Sequence, residues 1–101
     1  MNIPVQLDAG KARINLPRSF DVSVQGNFRQ ACADALSDDR VTEIEVDFND
    51  VHYIDSSALG GLLLLRERAE RAARSITITK CQPEVMKILA MANFHRIFTI
   101  A

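Results

Sequence analysis

The chain has 101 residues, of which 48% are hydrophobic, and its 12 basic and 13 acidic side chains leave a net charge of −1. A chain of this length can bury only one core, so we predict a single domain over residues 1–101. The near-neutral charge, without a long basic block, argues against nucleic acid and anionic membrane as partners. There is no signal-peptide pattern, and Leu62–Leu65 is too short an apolar run to span a bilayer. We therefore expect a cytoplasmic protein that does not insert into a membrane.

The cysteines and histidines do not form a recognisable metal or redox motif. Cys32 and Cys81 lack C-x-x-C spacing and have no histidine beside them, so we interpret them as reduced thiols that serve in packing. His52 and His95 are isolated from each other, which argues against a metal site. The sequence thus indicates a protein without a cofactor of its own.

Two strands joined by a hairpin are predicted at the N-terminus. Residues 3–8 and 12–16 alternate apolar and polar side chains, and the intervening Asp-Ala-Gly-Lys has the composition of a hairpin turn. Pro4 lacks a backbone donor, so the first strand is predicted to lie at the edge of the sheet.

The rest of the chain alternates helix and strand. The apolar spacing predicts a first helix from Asp21 or Ser23 to Leu36 and a second that contains Leu59, Leu62, Leu65, Ala69 and Ala72 on one face. A third helix is predicted from Pro83 to Asn93, since proline suits the first helical position and asparagine tolerates a left-handed C-cap. Strands are predicted at residues 43–48, 75–79 and 98–100.

The polarity of the strands predicts the architecture. Parallel strands between two helical layers are apolar throughout, whereas here polar side chains recur at every second position, as in Glu43, Glu45 and Asp47. One face of the sheet is therefore predicted to be wet, with all helices on the other. Right-handed crossovers then give a nearly sequential strand order. The predicted fold is a two-layer α/β superhelix whose sheet of four to five strands is mostly parallel, with an antiparallel N-terminal edge strand.

The turn before the second helix carries the candidate functional residues. Ser56 or Ser57 is the predicted N-cap, because a hydroxyl can accept a hydrogen bond from a free N–H of the first turn. A helix N-terminus also stabilises a phosphate placed on it. Gly60 and Gly61 each cost about 1 kcal/mol inside a helix relative to alanine, which indicates that something approaches this turn closely.

The run from Val46 to Gly60, which includes Tyr53-Ile54-Asp55-Ser56-Ser57-Ala58, resembles the signature of the STAS domain, specifically that of bacterial anti-sigma factor antagonists. Phe20-Asp21 and the stretch from Ile88 to Ile100 resemble the family's other conserved patterns, so the resemblance covers nearly the whole chain. Ala58 and Ser19 stand where the family usually has glycine.

The resemblance implies a partner-switching protein and not an enzyme. The unphosphorylated form would bind an anti-sigma factor that is also a serine kinase, and phosphorylation of Ser56 would release it. The kinase would supply ATP and magnesium, and a serine phosphatase would reset the cycle. The implied partner-binding residues are Asp21, Asp55, Ser56, Ser57, Ala58 and Gly60.

Two other interpretations stay open. His52, Asp55 and Ser56 include the residue types of a catalytic triad, but they lie within five residues and could hardly adopt the geometry of nucleophile, base and orienting group. Domains similar to this one also serve as binding modules without a switch, such as accessory subunits of membrane transport complexes. In that role Ser56 would be only a helix cap.

Overall fold

A computed structural model describes residues 2–101 and contains one five-stranded sheet, one two-stranded ladder and three α-helices. The strands are β1 (Val5–Asp8), β2 (Lys11–Asn15), β3 (Ser19–Phe20), β4 (Glu43–Asp47), β5 (Tyr53–Ile54), β6 (Ser75–Thr79) and β7 (Thr99–Ile100). The helices are α1 (Gln25–Ser37), α2 (Ser56–Arg71) and α3 (Pro83–Met91).

The five-stranded sheet has the strand order β1-β2-β4-β6-β7, which is sequential. β1 pairs antiparallel with β2 at the edge, and all other neighbours in this sheet are parallel. The predicted mixed α/β sheet with an antiparallel N-terminal edge strand is therefore confirmed. Each parallel pair is joined by one of the three helices, as right-handed crossovers require.

The helices cover one face of the sheet and enclose a single hydrophobic core. Ile14, Ile44 and Ile78 contribute from neighbouring strands, and each of these side chains is fully buried. Leu62 is fully buried as well, which confirms the predicted core face of α2. Pro83 occupies the first turn of α3, and Asn93 adopts the left-handed conformation with φ 62°, both as predicted.

The opposite face of the sheet is polar, but it is drier than the sequence predicts. Glu45 and Asp47, in the central strand β4, are only 5% and 7% exposed. Thr79 Oγ1 donates a 2.7 Å hydrogen bond to Glu45, and Lys11 Nζ and Arg13 Nε lie 3.6 and 3.4 Å from its other oxygen. The prediction of a wet face is wrong at these two positions, because Lys11 and Arg13 of β2 extend over Glu45 and Lys80, directly after β6, lies 3.7 Å from Asp47.

Two features near the helix starts differ from the sequence-based prediction. The segment Val22–Val24 forms a 3₁₀ turn, so α1 itself begins only at Gln25. Ser19–Phe20 and Tyr53–Ile54 form a short parallel ladder of their own, which the sequence analysis missed. This ladder places the starts of α1 and α2 side by side.

Candidate functional site

The β3–β5 ladder aligns two turns with the same local sequence pattern. Phe20 is followed by Asp21-Val22-Ser23, and Ile54 is followed by Asp55-Ser56-Ser57. In each turn the aspartate caps the helical segment that follows. In each, the serine two positions later donates its hydroxyl proton to that aspartate, at 2.6 Å in the first turn and 2.5 Å in the second. The repeated Asp-x-Ser pattern was visible in the sequence and could have predicted two similar helix caps, but not that the two turns lie side by side.

Asp55, and not Ser56 or Ser57, is the N-cap of α2. Its Oδ1 accepts a 3.1 Å hydrogen bond from the Ala58 N–H, and its backbone is extended, as a cap residue requires. The predicted serine cap is therefore wrong. A carboxylate offers two acceptor oxygens where a hydroxyl offers one, which allows Asp55 to serve the helix and a second partner together.

That second partner lies at the start of the other turn. The Val22 N–H donates to Asp55 Oδ2 at 3.1 Å, across 33 residues of chain. The pKa of Asp55 lies below its ordinary value, chiefly because Ser57 donates a hydrogen bond to the carboxylate, with help from the Ala58 and Val22 N–H groups. All these donors stabilise the ionised form, so Asp55 is a negative charge that joins the starts of α1 and α2.

Asp21 also caps the helical segment that follows it, but within residues 2–101 its carboxylate accepts hydrogen bonds only from its own turn. Its Oδ1 accepts a 3.0 Å hydrogen bond from the Ser23 N–H, and its backbone carbonyl accepts one from Gln25 Nε2. Two residues of the predicted partner-binding set, Asp21 and Asp55, thus lie with their carboxylates on adjacent turns.

The two serines of the second turn are in different environments. Ser57 is half-buried, and its Oγ is committed to Asp55. Ser56 is exposed at the first position of α2, and its Oγ makes no hydrogen bond to any residue in the range 2–101. Ser56 is therefore the more accessible hydroxyl of the pair.

Ala58 and Gly60 occupy opposite sides of the helix start. Ala58 is fully buried, so its methyl group belongs to the core and is not available to a partner. Gly60 is exposed, and a Cβ added there would meet no atom within 4 Å. Internal packing therefore does not explain Gly60, whereas it does explain Gly61, where a Cβ would overlap the amide oxygen of Gln25.

Two large apolar side chains near Ser56 are exposed. Val22, next to Asp21, is 71% exposed, and Tyr53, on β5, is 56% exposed. We refer to Asp21, Val22, Tyr53, Asp55, Ser56 and Gly60 together as the docking surface. The combination of exposed apolar groups with two carboxylates suits protein contact.

The histidines and cysteines lie in other surroundings. His52 Nδ1 is 3.3 Å from Glu84 Oε1, at the start of α3. Cys32 is buried, and burial raises the pKa of its thiol to about 12; the same cause raises that of Cys81 to about 11. Within residues 2–101, no three His, Cys, Asp or Glu side chains are grouped closely enough to hold a metal ion.

A bilayer-spanning helix would need both length and apolar character, and none of the helices within residues 2–101 combines the two.

Comparison with known proteins assigns the family. A family model described as "Mlab, STAS domain" matches residues 3–100. A STAS-domain containing protein of Pseudomonas aeruginosa (strain UCBPP-PA14) is 38% identical over 94 residues, which are 93% of this chain and 91% of the relative.

Solved structures agree in fold. The crystal structure of a Thermotoga maritima protein, described as a candidate anti-sigma factor antagonist, is similar with a TM-score of 0.85 at 19% identity, over 97% of this chain and 84% of that one. The Bacillus cell fate determinant SpoIIAA in its phosphorylated form is similar with a TM-score of 0.75 at 19% identity, over 98% and 90% of the two chains. With the family match over nearly all of its length, the chain belongs to the STAS-domain family.

Proposed function

We propose that this protein is an anti-sigma factor antagonist that acts by partner switching in the cytoplasm. In its unphosphorylated form it binds an anti-sigma factor with serine kinase activity through the docking surface. Phosphorylation of Ser56 releases that partner, and a serine phosphatase restores the binding form. The protein itself carries out no catalysis, and ATP and magnesium belong to the kinase.

The observation that carries the proposal is the difference between Ser56 and Ser57. A kinase must bring the acceptor hydroxyl into its own active site, and of these two serines only Ser56 has a hydroxyl that is both exposed and free of hydrogen bonds to residues 2–101. Ser56 is also not needed as a cap, since Asp55 has that role. Helix capping, which the sequence offered as a structural reason for a serine at this position, therefore does not account for Ser56. The similarity in fold to SpoIIAA, which has been solved in a phosphorylated form, supports phosphorylation as the switch.

A phosphate on Ser56 is compatible with the fold. It would add about −1.5 to −2 charges at the first position of α2, where the helix dipole favours negative charge. The Ser56 side chain points away from the core, so no packed group has to move. We therefore expect phosphorylation to change the surface and leave the domain folded.

The same phosphate is unfavourable inside an interface. Val22 and Tyr53 supply the large exposed apolar area of the docking surface, and a partner that covers them would also have to desolvate a dianion beside them. The phosphate would also stand beside the Asp55 carboxylate, which is already ionised, so the partner would have to cover two neighbouring negative groups. This desolvation cost favours release of the partner.

Calorimetric titration against the partner kinase, with and without ATP, tests the proposal. The Ser56→Ala variant removes the acceptor, so it should bind like the parent protein and stay bound when ATP is added. The Ser56→Asp variant carries a permanent single charge, and we expect it to bind more weakly by about 1–3 kcal/mol.

Ser57→Ala is the matched control. It removes a hydroxyl that is committed to Asp55 and should leave phosphorylation of the protein intact. Phosphate incorporation into Ser56→Ala, or parent-like affinity of Ser56→Asp, would contradict the assignment of Ser56.

A binding module without a switch, such as an accessory subunit of a membrane transport complex, is the second candidate. It is favoured by Gly60 in one respect, since a bare helix surface supports docking without any need for phosphate. Mass spectrometry of the protein from its native cells separates the two functions. A stoichiometric phosphate on Ser56 is expected for the switch and has no place in the second function.

A further inference from the structure

A slot of about 210 Å³ lies between α1 and α2, on the side of α2 that faces away from α3. Its apolar wall and its charged rim come from both helices. The wall consists of Phe28, Cys32, Leu64 and Leu65, and the rim carries Arg29 and Arg68.

The slot stays open at Gly60, where α2 has no side chain and a Cβ would meet no atom within 4 Å. Gly61 also lines the slot, but the side chain of Gln25 occupies the space next to it. From Ser57 at one end to Arg68 at the other, α2 rises about 16 Å, so the slot is an elongated groove and not a round pocket.

The charge of the groove is positive and uncompensated. Arg29 and Arg68 form no ion pair within residues 2–101, whereas the acidic neighbours Glu67 and Glu70 are paired with Arg71 and Arg66. No acidic side chain lines the groove in the part of the chain that the structure describes. The Cys32 thiol adds no negative charge, since burial keeps it protonated.

We propose that this groove binds a free, single-chain fatty carboxylate, with the acyl chain along the apolar wall and the carboxylate between Arg29 and Arg68. An elongated apolar groove accommodates an alkyl chain, and a guanidinium binds a carboxylate with two parallel hydrogen bonds. Leu64, at 37%, is the exposed part of this wall, and Phe28 and Leu65 form its buried floor, so an alkyl chain gains contact with Leu64 that a small hydrophilic anion would not. The groove shares Gly60 with the docking surface, but binding of this ligand does not depend on partner switching.

Sodium dodecanoate, kept below its micelle-forming concentration, is the probe. In amide-resolved NMR titrations we expect saturable shifts at Cys32, Gly61 and Leu64. Arg29→Gln and Arg68→Gln should each weaken binding about tenfold, as the loss of one charge-assisted contact implies. Arg96→Gln, which removes an exposed arginine that does not line the groove, should leave the affinity unchanged.

Two adjacent leucines provide a matched test of the wall. Leu64 lines the groove and Leu63 does not, although both are partly exposed, at 37% and 44%. Leu64→Gln should therefore reduce dodecanoate binding, and Leu63→Gln should not. Equal effects of the two substitutions would overturn the placement of the acyl chain.

Three further probes separate other occupants. Acetate should not bind, because it lacks the chain, and dodecyltrimethylammonium should bind much more weakly than dodecanoate, because its charge is reversed. Equal binding of the cationic amphiphile would overturn the role of the arginines. Binding of anionic vesicles without binding of monomeric dodecanoate would overturn the proposal in favour of a membrane surface. Absence of binding to all probes would overturn it and leave the groove to a segment of a protein partner.

Discussion

Asp55 Oδ2 accepts a hydrogen bond from the Val22 N–H at 3.1 Å, and this bond joins two turns that are 33 residues apart in the chain. The other oxygen of the same carboxylate caps α2 through Ala58. One side chain therefore fixes both the start of α2 and the position of the turn before α1. Because Ser56 and Val22 belong to these two turns, the geometry of the docking surface depends on Asp55.

Replacement of Asp55 tests this role. Asp55→Ala removes the acceptor for Val22, Ser57 and Ala58, so the variant should unfold at a clearly lower temperature than the parent. Asp55→Asn keeps one acceptor oxygen, so its unfolding temperature should lie between those of the parent and Asp55→Ala. Asp39→Ala, at an exposed position in the loop after α1, is the control and should melt like the parent. A parent-like melting temperature for Asp55→Ala would show that solvent replaces these bonds without cost.

The lowered pKa of Asp55 also predicts a pH dependence. The folded state favours the ionised carboxylate, so its contribution to stability is fully present above the unfolded pKa of about 3.9 and is lost as pH falls through the lower folded pKa. Denaturant unfolding of the parent and Asp55→Asn should be measured from about pH 6 down to about pH 2. The stability difference between the two proteins should shrink at the acidic end. A difference that is constant with pH would contradict the linkage.

Leu62 and Leu63 test the orientation of α2. Leu62 is fully buried and Leu63 is 44% exposed. Leu62→Ala should cost about 2–5 kcal/mol of unfolding free energy, whereas Leu63→Ala should change it by about 0.5 kcal/mol or less. Chemical denaturation of both variants measures the two values, and similar losses would mean that the assigned face of α2 is wrong.

Substitutions at Gly60 and Gly61 distinguish a glycine needed for partner contact from one needed for internal packing. Gly60→Ala meets open space and should stabilise the domain by about 0.5–1 kcal/mol, because alanine is the better helix former. Gly61→Ala gains the same propensity but displaces Gln25, whose amide donates to the Asp21 carbonyl, so its stability should stay near that of the parent.

The affinity for the kinase should not follow the stability of Gly60→Ala and Gly61→Ala. Gly60→Ala places a methyl group within the docking surface and should weaken kinase binding despite its greater stability. Titration of the two variants against the kinase measures this. Tighter or unchanged binding by Gly60→Ala would remove Gly60 from the docking surface.

The sequence by itself determined the order of the three helices and of the strands of the five-stranded sheet, the topology of that sheet, and the core face of α2. These properties follow from local patterns: strict alternation marks the strands, apolar residues at helical spacing mark the helices, and the one-sided polarity of Glu43, Glu45 and Asp47 places all helices on one face. Ser75–Thr79 was predicted with its observed boundaries for the same reason, since all five residues alternate.

Only the tertiary structure decided how the helix starts are held and what surrounds them. The cap of α2 is Asp55 and not a serine because Val22, from a distant turn, is there to bind its second oxygen. The ladder of Ser19–Phe20 with Tyr53–Ile54 and the burial of Glu45 likewise depend on residues more than 30 positions away. Pairings of this kind have no local pattern, because two residues alone carry no periodicity and their partners become neighbours only when the chain has folded.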